Sequence, residues 1–207
     1  MNVTTIVHEA PGPEVIAAEA EKGYDLMIIG LEKTTSRGKD FHGSVTTLAQ
    51  AFEGPLAITA ARGDLEKKPA SKLSILVPVN GTEASRRGAE VAITVARATK
   101  APLTVLYVAV RTSGGKKSAR RGVRTRRHEE AILKDIVAIA DGYNMSIKTA
   151  VMADDAADGA ILTEVERRKC NLIVMGVARR PGEKLFFGDT ASSLLENAEC
   201  SLLFVAS

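Results

Sequence analysis

Short aliphatic runs alternate with amphipathic segments along most of this 207-residue chain. That order restricts it to βαβ units around a parallel sheet. The alternation is clearest downstream of Leu73. Leu73–Val79 reads as a strand of almost pure Leu, Ile and Val, the composition of a strand covered on both faces. Asn80-Gly81-Thr82 is a turn, with Thr82 placed to cap a helix over Glu83–Thr99. Ala84, Gly88, Val91, Ala92 and Val95 share one face of that helix. Leu103–Val110 is the next strand. A helix from about His128 to Ala140 follows, then a strand at Ile147–Met152 and a helix at Ala160–Arg168. Leu172–Met175 is a strand ending at Gly176, Thr190–Asn197 a helix, and Leu202–Val205 the last strand.

The upstream part is shorter and follows the same grammar. Val3–Val7 reads as a strand, Pro11-Gly12-Pro13 as a break, and Glu14–Lys22 as a helix stopped by Gly23. Leu26–Ile29 is a buried strand ending at Gly30. A polar loop runs from Leu31 to His42. Gly43-Ser44 opens a helix to about Phe52, and Leu56–Ala60 is a strand. Residues 62–72 are charged, contain Pro69 and read as a linker.

The two parts repeat one another. At an offset of 146 (172 − 26), Leu26 falls on Leu172, Gly30 on Gly176, Glu53 on Glu199 and Leu56 on Leu202. Strand, glycine, polar loop, helix and strand recur without an inserted residue, which is a repeat of a whole structural unit. The expected organisation is therefore residues 1–61 as the C-terminal half of one domain, and residues 73–207 as a complete second copy. The same offset places the start of the first copy upstream of Met1, as in a fragment of a longer polypeptide. A half-domain exposes strand edges, so it is expected to lean on the second domain or on a partner.

Composition removes several classes of function. Net charge is +3, so there is no overall nucleic-acid signature. No apolar stretch approaches the roughly 20 residues of a membrane span, and the N-terminus lacks the regions of a signal peptide. Cys170 and Cys200 have no metal-site or disulfide spacing, which fits a reduced, cytoplasmic setting.

Val77-Pro78-Val79-Asn80-Gly81-Thr82-Glu83-Ala84-Ser85 resembles the start of universal stress proteins, which read V-P-V-D-G-S-E-x-S there. The ending is similar too: Leu172-Ile173-Val174-Met175-Gly176, a polar loop, Gly188, a helix, then Glu199–Val205. The resemblance implies an open parallel five-stranded sheet with helices on both faces, of the adenine nucleotide alpha hydrolase-like kind, in strand order 3-2-1-4-5. Ligands of such sheets sit at the carboxyl ends of the strands where the order reverses.

Nucleotide-binding members carry a loop written G-x2-G-x9-G-[S/T], whose backbone N–H groups and following helix receive phosphates. The matching positions here are Gly176, Arg179, Gly188, Asp189 and Thr190. Arg179 replaces the second glycine, the loop is one residue short, and Asp189 puts negative charge beside the phosphates. Asn80 stands where an Asp contacts the ribose, after Pro78, and Val108 matches the position whose backbone meets adenine. The upstream copy keeps Gly30, Gly43, Ser44 and Val45 at full spacing, with Lys33 for the second glycine, but lacks the strands that would hold adenine and ribose. Neither copy carries a complete standard site.

Other features are weaker. Lys116–Arg127 holds seven positive charges in twelve residues and reads first as a solvated insertion, second as a contact for anionic lipid, polyphosphate or nucleic acid. No aromatic interleaves them to stack on bases. Gly114–Ser118 lacks the first glycine of a P-loop. His8, His42 and His128 read as surface residues, Asp154, Asp155 and Asp158 as a turn and helix cap, and Cys170 as buried. No nucleophile–histidine motif is present, so no catalytic residue and no metal ligand is nominated.

The implied function is a cytoplasmic regulatory or sensor module, not an enzyme. It binds ATP, another adenine nucleotide or a small anion, or serves as a dimerisation unit; as a ligand-free module its tandem copies would pair through their last strands, at Leu56–Thr59 and Leu202–Val205. Tandem copies also form cytoplasmic tails of monovalent cation:proton antiporters, and the residues around Asn80–Glu83 resemble such tails. The alternatives are a stand-alone ATP-binding stress-response protein and a ligand-free interaction module. The expected partners are a second copy or the paired domain, a small nucleotide and a membrane transporter, with no specific nucleic acid.

Overall fold

A computed structural model describes residues 12–20, 22–24, 26–31, 45–46, 49, 52, 54–110, 119–178 and 187–206. Its elements are α1 (Pro13–Ala20), β1 (Met27–Leu31), β2 (Leu56–Ala60), α2 (Gly63–Lys67), β3 (Ile75–Val79), α3 (Glu83–Thr99), β4 (Leu103–Val110), α4 (Ala119–Gly142), β5 (Lys148–Asp154), α5 (Ala157–Arg168), β6 (Leu172–Val177), α6 (Asp189–Asn197) and β7 (Ser201–Ala206). Val45, Thr46 and Ala49 are also helical. The expected strand Val3–Val7 and the polar loop beyond Leu31 lie outside the described residues.

The seven strands form one sheet in the order β1-β2-β7-β6-β3-β4-β5. Strands β5-β4-β3-β6-β7 are parallel neighbours. This is the order 3-2-1-4-5, here extended from five strands to seven. The two added strands pair in parallel, Met27 with Leu56. They join the rest through an antiparallel ladder between β2 and β7. Leu56–Ala60 and Leu202–Ala206 therefore meet, as their apolar sequences require.

Two cores cover the two faces. One gathers Leu76, Leu106, Ile161, Ile173, Leu194 and Phe204, under α5 and α6, and runs on into Leu56, Ile58 and Val45. The other gathers Val77, Val105, Ala89, Ile93, Ile136 and Val174, under α3 and α4. All five residues of β3 are buried, as its unbroken apolar sequence predicts. Each such Leu or Ile contributes about 1.5–3 kcal/mol by leaving water.

Three expectations are corrected. Leu26–Ile29 is not buried on both faces: Leu26 and Ile28 are exposed, while Met27 and Ile29 pack on the core. The basic run is not an insertion up to Arg127: α4 begins at Ala119, so Arg120–Arg127 form its first turns. Alanine and arginine are strong helix formers, and a lone Gly122 does not outweigh them. The helix α5 has Ala156 at its N-cap with no side-chain bond. Asp154 instead closes the turn before it, its Oδ1 accepting from Asp155 N at 2.6 Å. Asp158 accepts a hydrogen bond from Ser193 Oγ at 2.5 Å and so ties α5 to α6.

Residues 62–72 are held to the sheet. Arg62 donates from Nη1 to Ala198 O at 2.7 Å and from Nη2 to Leu195 O at 2.5 Å. A cation thus caps the carbonyl end of α6, where the helix dipole is negative. Ser201 Oγ accepts from Arg62 N and donates to Arg62 O. On α5, the carboxylate of Glu164 is buried, at 1% exposure. Arg167 grips it through Nε and Nη2, each at 2.7 Å, and Arg168 Nε also donates to it. Arg167, with help from Arg168, holds this carboxyl below its ordinary pKa.

Candidate functional site at the carboxyl ends of the strands

The chain turns one way from β3 to β4 and β5, then returns to β6 on the other side of β3. The order reverses between β3 and β6. The β3–β6 ladder consists of Ile75 with Leu172 and Leu76 with Ile173. On the other side of β3, pairing continues to Val79 with Tyr107. Pro78 has no N–H to give, and the ladder to β6 ends before it. The carboxyl ends of β3 and β6 are the point of reversed strand order, the place where open α/β sheets take ligands.

The expected site residues fall around this point to different degrees. Pro78 is in β3 and Asn80 directly follows it. Val108, in β4, is half-buried and packs against the core under α5 and α6. Helix α6 starts on that same side, since Ala191 and Leu194 belong to the same core. Gly188 is its N-cap with φ 98°, and no side chain caps the helix. That left-handed conformation requires glycine. Among the described residues no side chain caps the first N–H groups of this nine-residue helix. Asp189 is exposed in the first turn and Thr190 half-buried behind it. An acidic residue at this position offsets the helix dipole by about 0.3–1 kcal/mol, in competition with a phosphate.

Asn80 is partly committed. Its Oδ1 accepts from Thr82 N at 3.1 Å and from Thr82 Oγ1 at 2.7 Å. Thr82 in turn caps α3, accepting from Ser85 N at 3.2 Å, as its sequence position predicts. Asn80 therefore shapes the turn with its carbonyl oxygen.

Gly176 has a packing role. Its backbone lies against Gly88 of α3, and a Cβ there would collide with Ala84 O. A Cβ on Gly88 would collide with Gly176 N. The pair lets α3 press on β6, on the face opposite the core that holds Val108. The glycine is needed whether or not the loop binds phosphate. Gly30 lies in β1, three strands beyond β6, and Val45 is buried in the first core. Neither lies at this point of the sheet. Arg179, Gly43, Ser44, His8, His42 and Gly114–Ser118 lie outside the described residues.

Two cavities escaped the sequence reading. One, of about 280 Å³, lies between α3 and α4 beside the Gly81-Thr82 turn; Val79, Arg86, His128, Ile132 and Asp135 line it. Arg86 Nε stands 3.5 Å from Asp135 Oδ2 there. It is formed by α4 crossing α3, and no local motif signals such a crossing. His128 is exposed at its rim, as expected of a surface histidine. The other, of about 320 Å³, lies at the amino ends of β6 and β7 and is lined by Cys170, Cys200, Asn171 and Asp64. Both thiols are buried. Burial raises the Cys170 thiol and pushes Cys200 up to about 11. Among the described residues no group of three His, Cys, Asp or Glu could hold a metal ion, and no helix is long and apolar enough to cross a membrane.

Known proteins resemble this chain in sequence and in fold. A universal stress protein of Methanocaldococcus jannaschii is 27% identical over 138 residues, which cover 63% of this chain and 80% of that protein. A putative universal stress protein from Pseudomonas aeruginosa UCBPP-PA14 shares the fold over 96% of this chain and 69% of its own, with a TM-score of 0.63 at 19% identity. The universal stress protein from Archaeoglobus fulgidus, solved in complex with dAMP, does so over 64% of this chain and 97% of its own, with a TM-score of 0.50 at 16% identity. Residues 73–206 match the universal stress protein family along their whole length, and the chain belongs to that family.

Proposed function

We propose that this chain is a non-enzymatic regulatory module that takes an adenine nucleotide, or another small anion, at the carboxyl ends of β3 and β6. The observation that carries the reading is the end of the β3–β6 ladder before Pro78, with the Gly188-started helix α6 packed on the same side of the sheet as Val108. Asn80 and Val108 flank the same place, where ribose and adenine would lie. The dAMP complex of the Archaeoglobus fulgidus relative supports a nucleotide as the ligand class. Asp189 makes a monophosphate a better fit than a triphosphate, because each added phosphate charge meets a carboxylate. Calorimetric titration with AMP, ATP and cyclic AMP tests this. AMP is expected to bind more tightly than ATP, and Asp189→Ser to tighten ATP about 2–5-fold, the effect of removing one charge at a helix N-terminus. Absence of heat with all three at millimolar concentration overturns the reading.

We also propose that residues 1–61 are the C-terminal half of a second domain, joined by residues 62–72 to the complete domain at 73–207. The sequence repeat and the matching register of β1–β2 and β6–β7 support it. In the same reading the module is cytoplasmic and regulates an attached monovalent cation:proton antiporter. The basic start of α4, suited to anionic lipid, favours that placement. Reading the gene upstream of Met1 tests it: transmembrane helices in frame support the tail, and a stop codon there ends it.

A further inference from the structure

Cys170 and Cys200 are distant in sequence and meet at one end of the sheet. Leu172 pairs with Ser201 in the parallel ladder of β6 and β7. Cys170 is two residues before Leu172, and Cys200 one before Ser201. They therefore stand one residue out of register on neighbouring chains about 4.8 Å apart. Both belong to the core under α5 and α6, and both line the cavity of about 320 Å³ at the amino ends of these strands. After burial, which raises the Cys200 thiol most, a charge on Cys170 raises it further, as for sulfurs within reach of each other.

Both cysteines sit on fixed backbone. Beside Cys170, Asn171 Oδ1 accepts from Ser74 N at 2.8 Å, and its Nδ2 donates to Lys72 O at 2.9 Å. Ser74 Oγ donates to Cys170 Sγ itself at 3.7 Å. Cys200 lies between Ala198 and Ser201, which are both bonded to Arg62. Gly63 packs on the residue before it: its φ is 58°, and a Cβ there would stand 2.8 Å from Glu199 O. Two soft donors are thus held in place at the wall of a cavity, as metal ligands must be. Asp64, Glu166 and Glu199 in that wall outnumber Lys169, a field that draws in a cation.

We propose that Cys170 and Cys200 form a two-sulfur site for a thiophilic metal ion, and that Cu(I) is the ion it fits. Thiolates select soft ions. Cu(I) is satisfied by two of them in line, whereas structural zinc takes four ligands. Among the described residues no third His, Cys, Asp or Glu joins the pair to make a fuller site. On binding, each sulfur gives its proton to water and bonds the ion, so one Cu(I) enters, two protons leave and no electron is transferred. The resulting bis-thiolate carries one negative charge, which Arg62 beside Cys200 offsets. The site lies at the opposite ends of the strands from the nucleotide site and is independent of it.

The test uses the full chain, reduced and free of oxygen, with Cu(I) as probe in competition with a coloured Cu(I) chelator. The expected result is one Cu(I) per chain, with the ultraviolet absorption of a thiolate–copper bond. Cys170→Ser and Cys200→Ser should each weaken binding about 100-fold or more, beyond what an outer partner of a metal site is worth. X-ray absorption of the copper-loaded parent chain, which needs no variant, should show two sulfur neighbours. Four results overturn the proposal: no Cu(I) held against the chelator, a folded single-serine variant that binds as tightly as the parent, copper without two sulfur neighbours, or copper-driven dimers that draw the sulfurs from two chains.

Discussion

Ile58 stands directly opposite Phe204 across the antiparallel ladder of β2 and β7, and the two are equivalents at the repeat offset. Exchanging equivalents therefore maps the ladder onto itself: Leu56 with Ala206 becomes Leu202 with Ala60, which is also a pair. A local two-fold axis passes between Ile58 and Phe204. Such a contact uses one patch against itself, as isologous interfaces do. Both residues are almost fully buried, and Phe204 also meets Phe187, with ring centroids 6.0 Å apart.

This centre is expected to dominate the stability of the extended sheet. Phe204→Ala should cost about 3–5 kcal/mol and Ile58→Ala about 2–5 kcal/mol. The double variant should lose about 0.5–3 kcal/mol less than the total of the two, because the side chains share one cavity. Urea unfolding of the four proteins measures this. Full additivity would deny the contact.

The two glycines of the repeat should behave oppositely. Gly88→Val or Gly176→Val forces α3 off β6 and should cost about 1–3 kcal/mol or more. Gly30→Ala, in open space, should stay within about 0.5 kcal/mol of the parent. Thermal melts of the isolated chain distinguish them.

Those glycines also show how far the sequence could be read. The order of strands and helices, the helix over Glu83–Thr99, its Thr82 cap and the β2–β7 contact all follow from periodicity, turn residues and the repeat. They are local signals, or a unit compared with itself. The role of Gly176 was not legible in this way. A glycine before a loop fits a phosphate cradle, and only the position of Gly88 across the helix–strand crossing shows its packing use. The start of α4 was hidden for a related reason: a dense run of arginines reads as solvated chain until a helix is seen to carry it. The capping of α6 by Arg62 joins residues more than a hundred positions apart and left no local trace.

Arg62→Ala should remove two charged hydrogen bonds to the end of α6. The expected loss is about 1.5–3 kcal/mol, with β7 amides exchanging faster because Ser201 loses its anchored partner. Hydrogen exchange by mass spectrometry reads both effects.

Stability should depend on pH at both extremes. The Glu164 carboxyl is held low in the folded state, so its contribution is present above the unfolded value, about 4.3. It is lost as pH falls through that value toward the folded pKa. Glu164→Gln should be less stable at pH 7 and show a flatter acid limb. Cys200 is raised to about 11 when folded. Its contribution is present below the unfolded thiol value of about 8.5 and is lost as pH rises through about 11. Cys200→Ala should flatten the alkaline limb, and both thiols should resist alkylation at pH 8 until the chain unfolds. Denaturant midpoints across pH, and timed alkylation, check these outcomes.

The central claim is a nucleotide site at the carboxyl ends of β3 and β6, where the strand order reverses. Backbone amide resonances followed during AMP titration test it most directly. The account predicts saturable shifts at Asn80, Val108 and Gly188–Thr190, with little change at Gly30 or at the α3–α4 cavity around His128. Saturable shifts confined to His128, Ile132 and Asp135, or no shift at millimolar AMP, would contradict it.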